Sequence, residues 1–579
     1  MRKHIKHILV VTMTLSVTMS FSQNRESDTI NTGVIDVVKP YTPSISDAFK
    51  VKEIPTLDDE ETATKKDIKY NIFSFPVAST FTPAKGKAAV VEKARPVKLF
   101  DNYATVGVGT YTTFLGEVYL NHAISRTESV GGYLSHHSSG GGIEDVLLDD
   151  NFSNSKINVN YASRLRDLAW NVEAGFQHQT YNWYGLPENY ANNEPFANTL
   201  DVSHSFYNAH FGGDISFEDT YINSGSFFFR RFGDNFDSGE NRFVVNAKVD
   251  VPINDVEIST DFKFDYIGGS FDRSYFSDTA INYGNFILVV TPSYEIKEDD
   301  LTVNLGFSAV YLKDRENSDS KFYIYPNVTA SYRLVNDVLI AYGGITGDLI
   351  QNSYYDFATE NSFVSPTLFI APTDQLYNAY VGLKGKLSSN MSYNVNGRYL
   401  ADRNKALFRN NTTSFDVLNA EDYEYGNSFG MVYDDVETFG VAGEINVDVN
   451  RNFKLGLKAE YFSYTTDNQA EAWNLPDVKG SLFLDYQIDE HWFAGANLFY
   501  IGERKDLLSV EDNLAGFQSM VVDLESYFDA NAHVGYHIND KISTFIKANN
   551  IANEGYQRWQ NYPVQSLQVL AGATFKFDF

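Results

Sequence analysis

Gln568-Val-Leu-Ala-Gly-Ala-Thr-Phe-Lys-Phe-Asp-Phe579 is the stretch on which the fold turns. Counted from one residue earlier, Leu567, Val569, Ala571, Ala573, Phe575, Phe577 and Phe579 alternate with Gln568, Leu570, Gly572, Thr574, Lys576 and Asp578. A repeat of two sends successive side chains to opposite faces of a strand. One face here is apolar and ends in three aromatics; the other is mostly small or polar. The pattern recurs on both sides of a turn at Asn539 and Asp540, in Ala530, Ala532, Val534, Tyr536 and Ile538 and in Ile542, Thr544, Ile546 and Ala548. An amphipathic strand that ends the chain on aromatics predicts an all-β, transmembrane antiparallel barrel. Phe575, Phe577 and Phe579 are read as its closure signal.

The same texture extends back to Asn102. Val245, Ala247, Val249 and Val251 alternate with Asn246, Lys248 and Asp250, then turn at Pro252–Asp255 into Val256, Ile258, Thr260, Phe262, Phe264 and Tyr266. Val441, Ile445, Val447 and Val449 turn at Asn450 into Phe453, Leu455, Leu457, Ala459 and Tyr461. Short polar turns are expected near Arg126, Arg164–Asp167, Asp214–Glu218, Pro252–Asp255, Lys297–Asp300, Val335–Asp337, Ser388–Asn390, Asn450–Asn452, Asp489–Glu490 and Asn539–Asp540. Those hairpins, an opening strand near Asn102–Thr110 and the closing strand make about 22 strands, an even number that suits a barrel. A soluble β-sandwich would also show one solvated face per strand. One uninterrupted meander, with short turns on one side and long loops on the other, favours the barrel.

Composition agrees. Of 579 residues, 15% are aromatic, with 38 Tyr and 44 Phe, as lipid-facing girdles require. A barrel strand shows lipid only every other side chain, which is why mean hydropathy stays slightly negative. With 46 Lys plus Arg against 75 Asp plus Glu, the net charge of −29 argues against nucleic acid, whose phosphates need a basic surface. The absence of cysteine removes disulfides and thiolate metal sites.

Met1–Ser22 reads as a signal peptide. Arg2, Lys3, His4 and Lys6 precede an apolar Ile8–Phe21, and Ser20 and Ser22 supply the small residues for cleavage before Gln23. Residues 23–100 form a second region, proline-rich and without sustained periodicity, expected as an extended periplasmic or lumen-entering segment. Residues 101–579 are the barrel. Within the second region Thr29–Val38, and in particular Val34, Ile35, Asp36, Val37 and Val38 followed by Lys39, Pro40 and Tyr41, is β-rich and could add as an edge strand to a partner's sheet. The alternatives for this region are a linker against the barrel rim and a docking peptide for another envelope protein.

Phe528–Tyr556 and Gln568–Phe579 resemble the last strands of TonB-dependent outer-membrane receptors, and Asn549-Asn-Ile551 followed by Glu554 and Tyr556 is similar to that family's ending. The resemblance implies a 22-strand barrel, ligand uptake across the outer membrane of a Gram-negative bacterium, and a TonB box, for which Val34–Tyr41 is the candidate. One departure accompanies it. The family's plug domain has no counterpart in residues 23–100, so a lumen of this width must be filled by that segment, by folded-in loops or by another protein. Expected partners are outer-membrane lipid, the barrel-assembly machinery and a TonB-like or other periplasmic protein.

Little catalytic chemistry is legible. The 11 histidines are dispersed, and no Gly-rich phosphate loop, paired-Cys zinc site or His-Glu-x-x-His motif occurs, so neither an enzyme nor a cofactor or metal is expected. Asp145, Asp149 and Asp150 lack a calcium-loop frame and read as a solvated acidic loop. His136 and His137 are adjacent on a strand and face opposite sides. Among the long loops, Trp183 and Tyr184 beside a turn are the candidates for ligand stacking. Two functions follow: uptake of a ligand too large for porins, or a structural or assembly subunit that docks a partner through residues 23–100.

Overall fold

The computed structural model describes residues 99–579 apart from 219, 254–255, 415–419 and 513–515. Met1–Ser22 and the Val34–Tyr41 stretch lie outside the described residues.

Twenty-two strands form one closed antiparallel sheet. The seam is made where the sequence places it. Gln568–Phe577 pairs with Ile542–Asn549 on one side and with Asn102–Gly109 on the other, in register from Asn102 opposite Phe577 to Gly109 opposite Leu570. Inside the seam, Thr105 and Thr574 share a hydrogen bond of 2.9 Å. Gly572 is required by closeness: a methyl there would stand 2.5 Å from the Val106 carbonyl and 2.4 Å from the Phe545 ring. Phe575 and Phe577 lie in this strand with rings 5.5 Å apart, and Phe579, two residues past its end, meets Phe577 edge-on at 5.6 Å.

Nine of the ten short turns read from sequence fall at the strand junctions expected; the tenth, expected at Asp214–Glu218, begins only at Glu218, because Asp214–Phe217 continue the strand Ser203–Phe217. Their Asn and Asp side chains explain them, because a short carboxylate or amide oxygen accepts from backbone N–H groups two or three residues ahead and caps a tight reversal. Asp489 Oδ1 accepts from the amides of His491 and Trp492, each at 2.7 Å. Asn539 Oδ1 does the same for Lys541 and Ile542 at 2.9 Å.

Which face of the sheet lines the lumen is settled by a long loop that folds inward. Residues 351–372 touch Arg230, Glu240, Arg242 and Asp265. The alternate residues, such as Phe229, Phe262, Ile157 and Val159, are exposed on the opposite, outward face. Apolar outside and charged inside is the arrangement a lipid-embedded barrel needs, since every backbone group is paired between strands and only side chains meet lipid. Among the described residues, no helix is long and apolar enough to cross a membrane.

Candidate functional site

The long loops pack together over one mouth of the barrel. Four of them contribute most: 183–202, 351–372, 411–414 with 420–428, and 550–567. They depart from strands spread around the circumference and meet in the middle, where Tyr354, Val364, Tyr423, Phe429 and Tyr562 are buried as deeply as residues of a soluble core. Phe363 stacks on Tyr562 at 3.9 Å, and Trp559 meets Phe408 and Phe429 at 5.3 and 5.4 Å. Aromatic pairs at such spacings add to the area they remove from water.

Trp183 and Tyr184 sit inside this cap. Trp183 is 0% exposed and packs against His204, Phe236 and Tyr423, with centroids 4.3, 5.3 and 5.1 Å away. Tyr184 donates its hydroxyl to the Pro563 carbonyl at 2.9 Å and meets the Tyr562 ring at 4.8 Å. Gly185 lets this happen: a methyl there would stand 2.3 Å from the Tyr562 ring. Asn427 Nδ2 donates to the Trp183 carbonyl at 3.1 Å, and Tyr562 donates to the Asn427 carbonyl at 2.5 Å, so three loops are interlocked.

A short helix, Tyr354–Glu360, reaches the lumen wall. Ser353 begins it, accepting from the Asp356 amide at 3.0 Å, and Asp356 supplies the acidic first turn. Its polar groups are tied to the lumen wall. The Tyr354 amide donates to Glu240 Oε2 at 2.6 Å, and Tyr283 donates to the same oxygen at 2.8 Å. The Tyr354 hydroxyl donates to Asp234 Oδ2 at 2.6 Å, which His204 Nε2 approaches at 3.3 Å. Arg242 clasps Asp265 through both its Nε and Nη2, at 3.0 and 2.8 Å, and extends Nη1 to Asp356 at 3.3 Å. The Arg230 guanidinium lies 3.7 Å above the Tyr355 ring. At the far end of the helix, burial pushes the Glu360 carboxyl up to about 8, against the pull of Lys479, Arg558 and Lys405, and its Oε1 has no hydrogen-bond partner.

Two further ties close the rim. Arg273 reaches from 272–280 to Glu421 at 2.5 Å and Glu424 at 3.2 Å. The hairpin Arg504–Asp512 with Gly516–Leu524 carries Asp506, 0% exposed, which accepts from the Asn410 and Leu507 amides at 2.9 and 2.8 Å. Burial raises that carboxyl to about 6. Among the described residues no group of His, Asp or Glu is placed to hold a metal ion. His136 and His137 do diverge. His136 bonds Ser155 at 2.7 Å beside Phe114, and His137 turns to Phe152.

Sequence reasoning named two residues of this cap and missed Tyr354, Phe363, Tyr423, Phe429, Trp559 and Tyr562. One signal was available: Ser353-Tyr-Tyr-Asp356 has the Ser/Thr-x-x-acid spacing of a helix start.

These features define a class, a transmembrane β-barrel of the outer-membrane type with a mouth closed over by its own loops. No protein-family model matches the sequence, and no curated protein sequence matches it. Solved structures do. The chain is similar to the pyoverdine outer-membrane receptor FpvA of Pseudomonas aeruginosa bound to pyoverdine, at 12% identity over 84% of this chain and 80% of that one, with a TM-score of 0.61. It is similar to the siderophore receptor PirA of Acinetobacter baumannii, at 11% identity over 82% and 80%, with a TM-score of 0.60. The FrpB iron transporter of Neisseria meningitidis aligns at 9% identity over 83% and 82%, with a TM-score of 0.61. The likeness is one of fold: the chain carries the 22-strand barrel seen in outer-membrane siderophore receptors.

Proposed function

We propose that this chain is a receptor-type barrel that takes part in uptake, across the outer membrane, of a ligand too large for porins. The observation that supports the reading most is the cap. Loops from separated parts of the rim interlock over the mouth of a barrel whose fold is shared with receptors, one of them solved with pyoverdine bound. Ligand capture requires these loops to part, which bares Trp183 and Tyr184 for stacking against an aromatic ring of a multidentate iron chelate.

Val34–Tyr41 is the proposed point of energy coupling, a short β-rich segment that adds to the sheet of a TonB-like periplasmic protein. The test compares cells carrying the full chain, cells carrying it without residues 34–41, and cells lacking it. Each takes up labelled iron presented as a panel of ferric siderophores that includes ferric pyoverdine. The shortened chain is expected to assemble a heat-modifiable barrel yet give uptake no greater than the cells lacking it. Undiminished uptake would remove the coupling role. A panel on which cells with and without the full chain behave alike would remove the uptake role itself.

A further inference from the structure

Five adjacent strands, Ile222–Asp234, Gly239–Ile253, Val256–Phe271, Ile281–Glu298 and Leu301–Asp314, present an unusual outward face just below the loop rim. Cross-strand register sorts it into rows. The lower rows are apolar. Phe229, Phe243, Tyr266 and Phe286 stand side by side and end at Lys313, and beneath them run Phe227, Val245, Phe264, Leu288 and Tyr311. Phe243, Phe264, Phe286 and Tyr311 form a ladder with successive centroids 6.0, 5.0 and 6.4 Å apart. The row above has a different character. It reads Arg231, Asn241, Gly268, Gly284, and then Arg315, whose amide donates to the Gly284 carbonyl at 2.9 Å. Two guanidinium groups thus bracket a floor with almost no side chains.

Neither cation is used up by the protein. The Arg231 side chain makes no ion pair or hydrogen bond among the described residues; its guanidinium rests against Gly239, where an added methyl would stand 2.5 Å from Nη2. Beside it opens a cavity of about 360 Å³ whose lining includes Phe176, Tyr207, Gly233, Asp234, Asp237 and Ser238. Two acids share this cavity: Asp234 is taken up by the Tyr354 hydroxyl and His204, and neither it nor Asp237 pairs with Arg231. Arg315 donates to the Tyr266 hydroxyl at 2.7 Å and keeps its remaining donors. Asp314 beside it is occupied by the Glu316 and Asn317 amides at 2.9 and 3.0 Å.

Depth identifies what this face meets. Arg231 lies nine residues along the strand from Ile222, about 30 Å at 3.3 Å per residue and about 23 Å along the membrane normal at a tilt near 40°. With the apolar band taken to begin at Ile222, where the strand starts, that height falls at the upper edge of a band about 25 Å tall. Unpaired cations at that level, directly above a lipid-facing aromatic ladder, are placed to meet anionic headgroups while the rings meet acyl chains. Arginine forks suit phosphate oxygens. The side-chain-poor floor, spanning the three strands between the arginines, leaves room for sugar rings.

We propose that this outward face binds the phosphorylated saccharide headgroup of an outer-leaflet glycolipid, with Arg231 and Arg315 holding phosphate and the aromatic ladder holding acyl chains. The experiment is native mass spectrometry of the full chain in non-ionic detergent, titrated with a diphosphorylated glucosamine glycolipid. The wild-type chain is expected to retain the lipid. R231A and R315A each weaken retention about tenfold, the scale of one lost charge-assisted contact. R231K and R315K recover part of the loss, and the dephosphorylated glycolipid binds no better to wild type than the phosphorylated one binds to the double alanine variant. Both side chains are on the outer surface, and heat-modifiability checks that each variant still forms the barrel. Undiminished retention by the double alanine variant overturns the site. Equal competition by inorganic phosphate reduces it to an anion site without lipid, and equal retention of phosphatidylglycerol removes the saccharide from the assignment.

Discussion

Tyr354 offers the sharpest test of the cap, because one side chain carries both its packing and its attachment to the barrel. Its ring is 0% exposed among Phe206, Phe232 and Phe271, at 6.2, 5.0 and 4.9 Å, and its hydroxyl donates to Asp234 at 2.6 Å. Removing a buried aromatic ring costs about 3–5 kcal/mol. Losing a hydrogen bond to a charged acceptor costs about 1.5–3 kcal/mol. The second figure belongs at its lower end here, since Asp234 keeps the Phe236 and Ser238 amides at 2.8 and 3.0 Å. Tyr354→Ala therefore loosens the cap by about 4.5–6.5 kcal/mol, and Tyr354→Phe by about 1.5 kcal/mol. At 1.4 kcal/mol per factor of ten, the opening equilibrium shifts about 10³- to 10⁵-fold for the first and about tenfold for the second. Amide hydrogen exchange in detergent measures this directly. Protection of Phe357 and Asn361, which donate to the Ser353 and Phe357 carbonyls, is expected to fall in the order wild type, Tyr354→Phe, Tyr354→Ala. Single-channel conductance in a planar bilayer should rise in the same order. Unchanged protection in Tyr354→Ala, in a barrel that still shows its heat shift, would refute the idea that these loops are held as one packed unit.

The seam and the cap yield two more expectations. Gly572→Ala forces a methyl to 2.5 Å from the Val106 carbonyl and should lower barrel stability by about 1–3 kcal/mol, read as a lower temperature of the heat-modifiability shift. Gly443→Ala, where nothing lies within 4 Å, is the matched control and should leave that temperature unchanged. Glu360 sets a pH dependence. Its carboxyl is raised from 4.5 to about 8 in the folded cap, so the folded state binds more protons than the open one, and cap stability declines as pH climbs from about 4.5 to about 8 and then levels off. Glu360→Gln should flatten that slope, which denaturant titrations of cap fluorescence at pH 5, 7 and 9 will show; a slope that persists in the variant would assign it to another group.

The interlock accounts for how a barrel this wide is occupied at its loop end. Packed aromatics, rather than charge alone, hold the loops, and that makes opening an all-or-none event of several contacts instead of the independent motion of single loops. The lumen-wall groups that grip Tyr354–Glu360 and the residues leading into it belong to three neighbouring strands, so a ligand that displaces this helix acts on one sector of the barrel.

Alternation in Gln568–Phe579, Val245–Tyr266 and Val441–Tyr461 was enough to determine strands, outward faces and turns, because a strand's two faces and an Asn or Asp cap are properties of neighbouring residues. An even number of such strands in one meander also fixed closure, since a sheet in lipid tolerates no free edge. The tertiary structure alone decided what the loops do. Tyr184 meets Pro563 across 379 positions, Asn427 meets Trp183 across 244, and Arg230 meets Ser353 across 123. Loops of no fixed period leave no local mark of such partners. The cap exists because closing the cylinder brings distant strand ends within reach of one another, and only then can their aromatics leave water together.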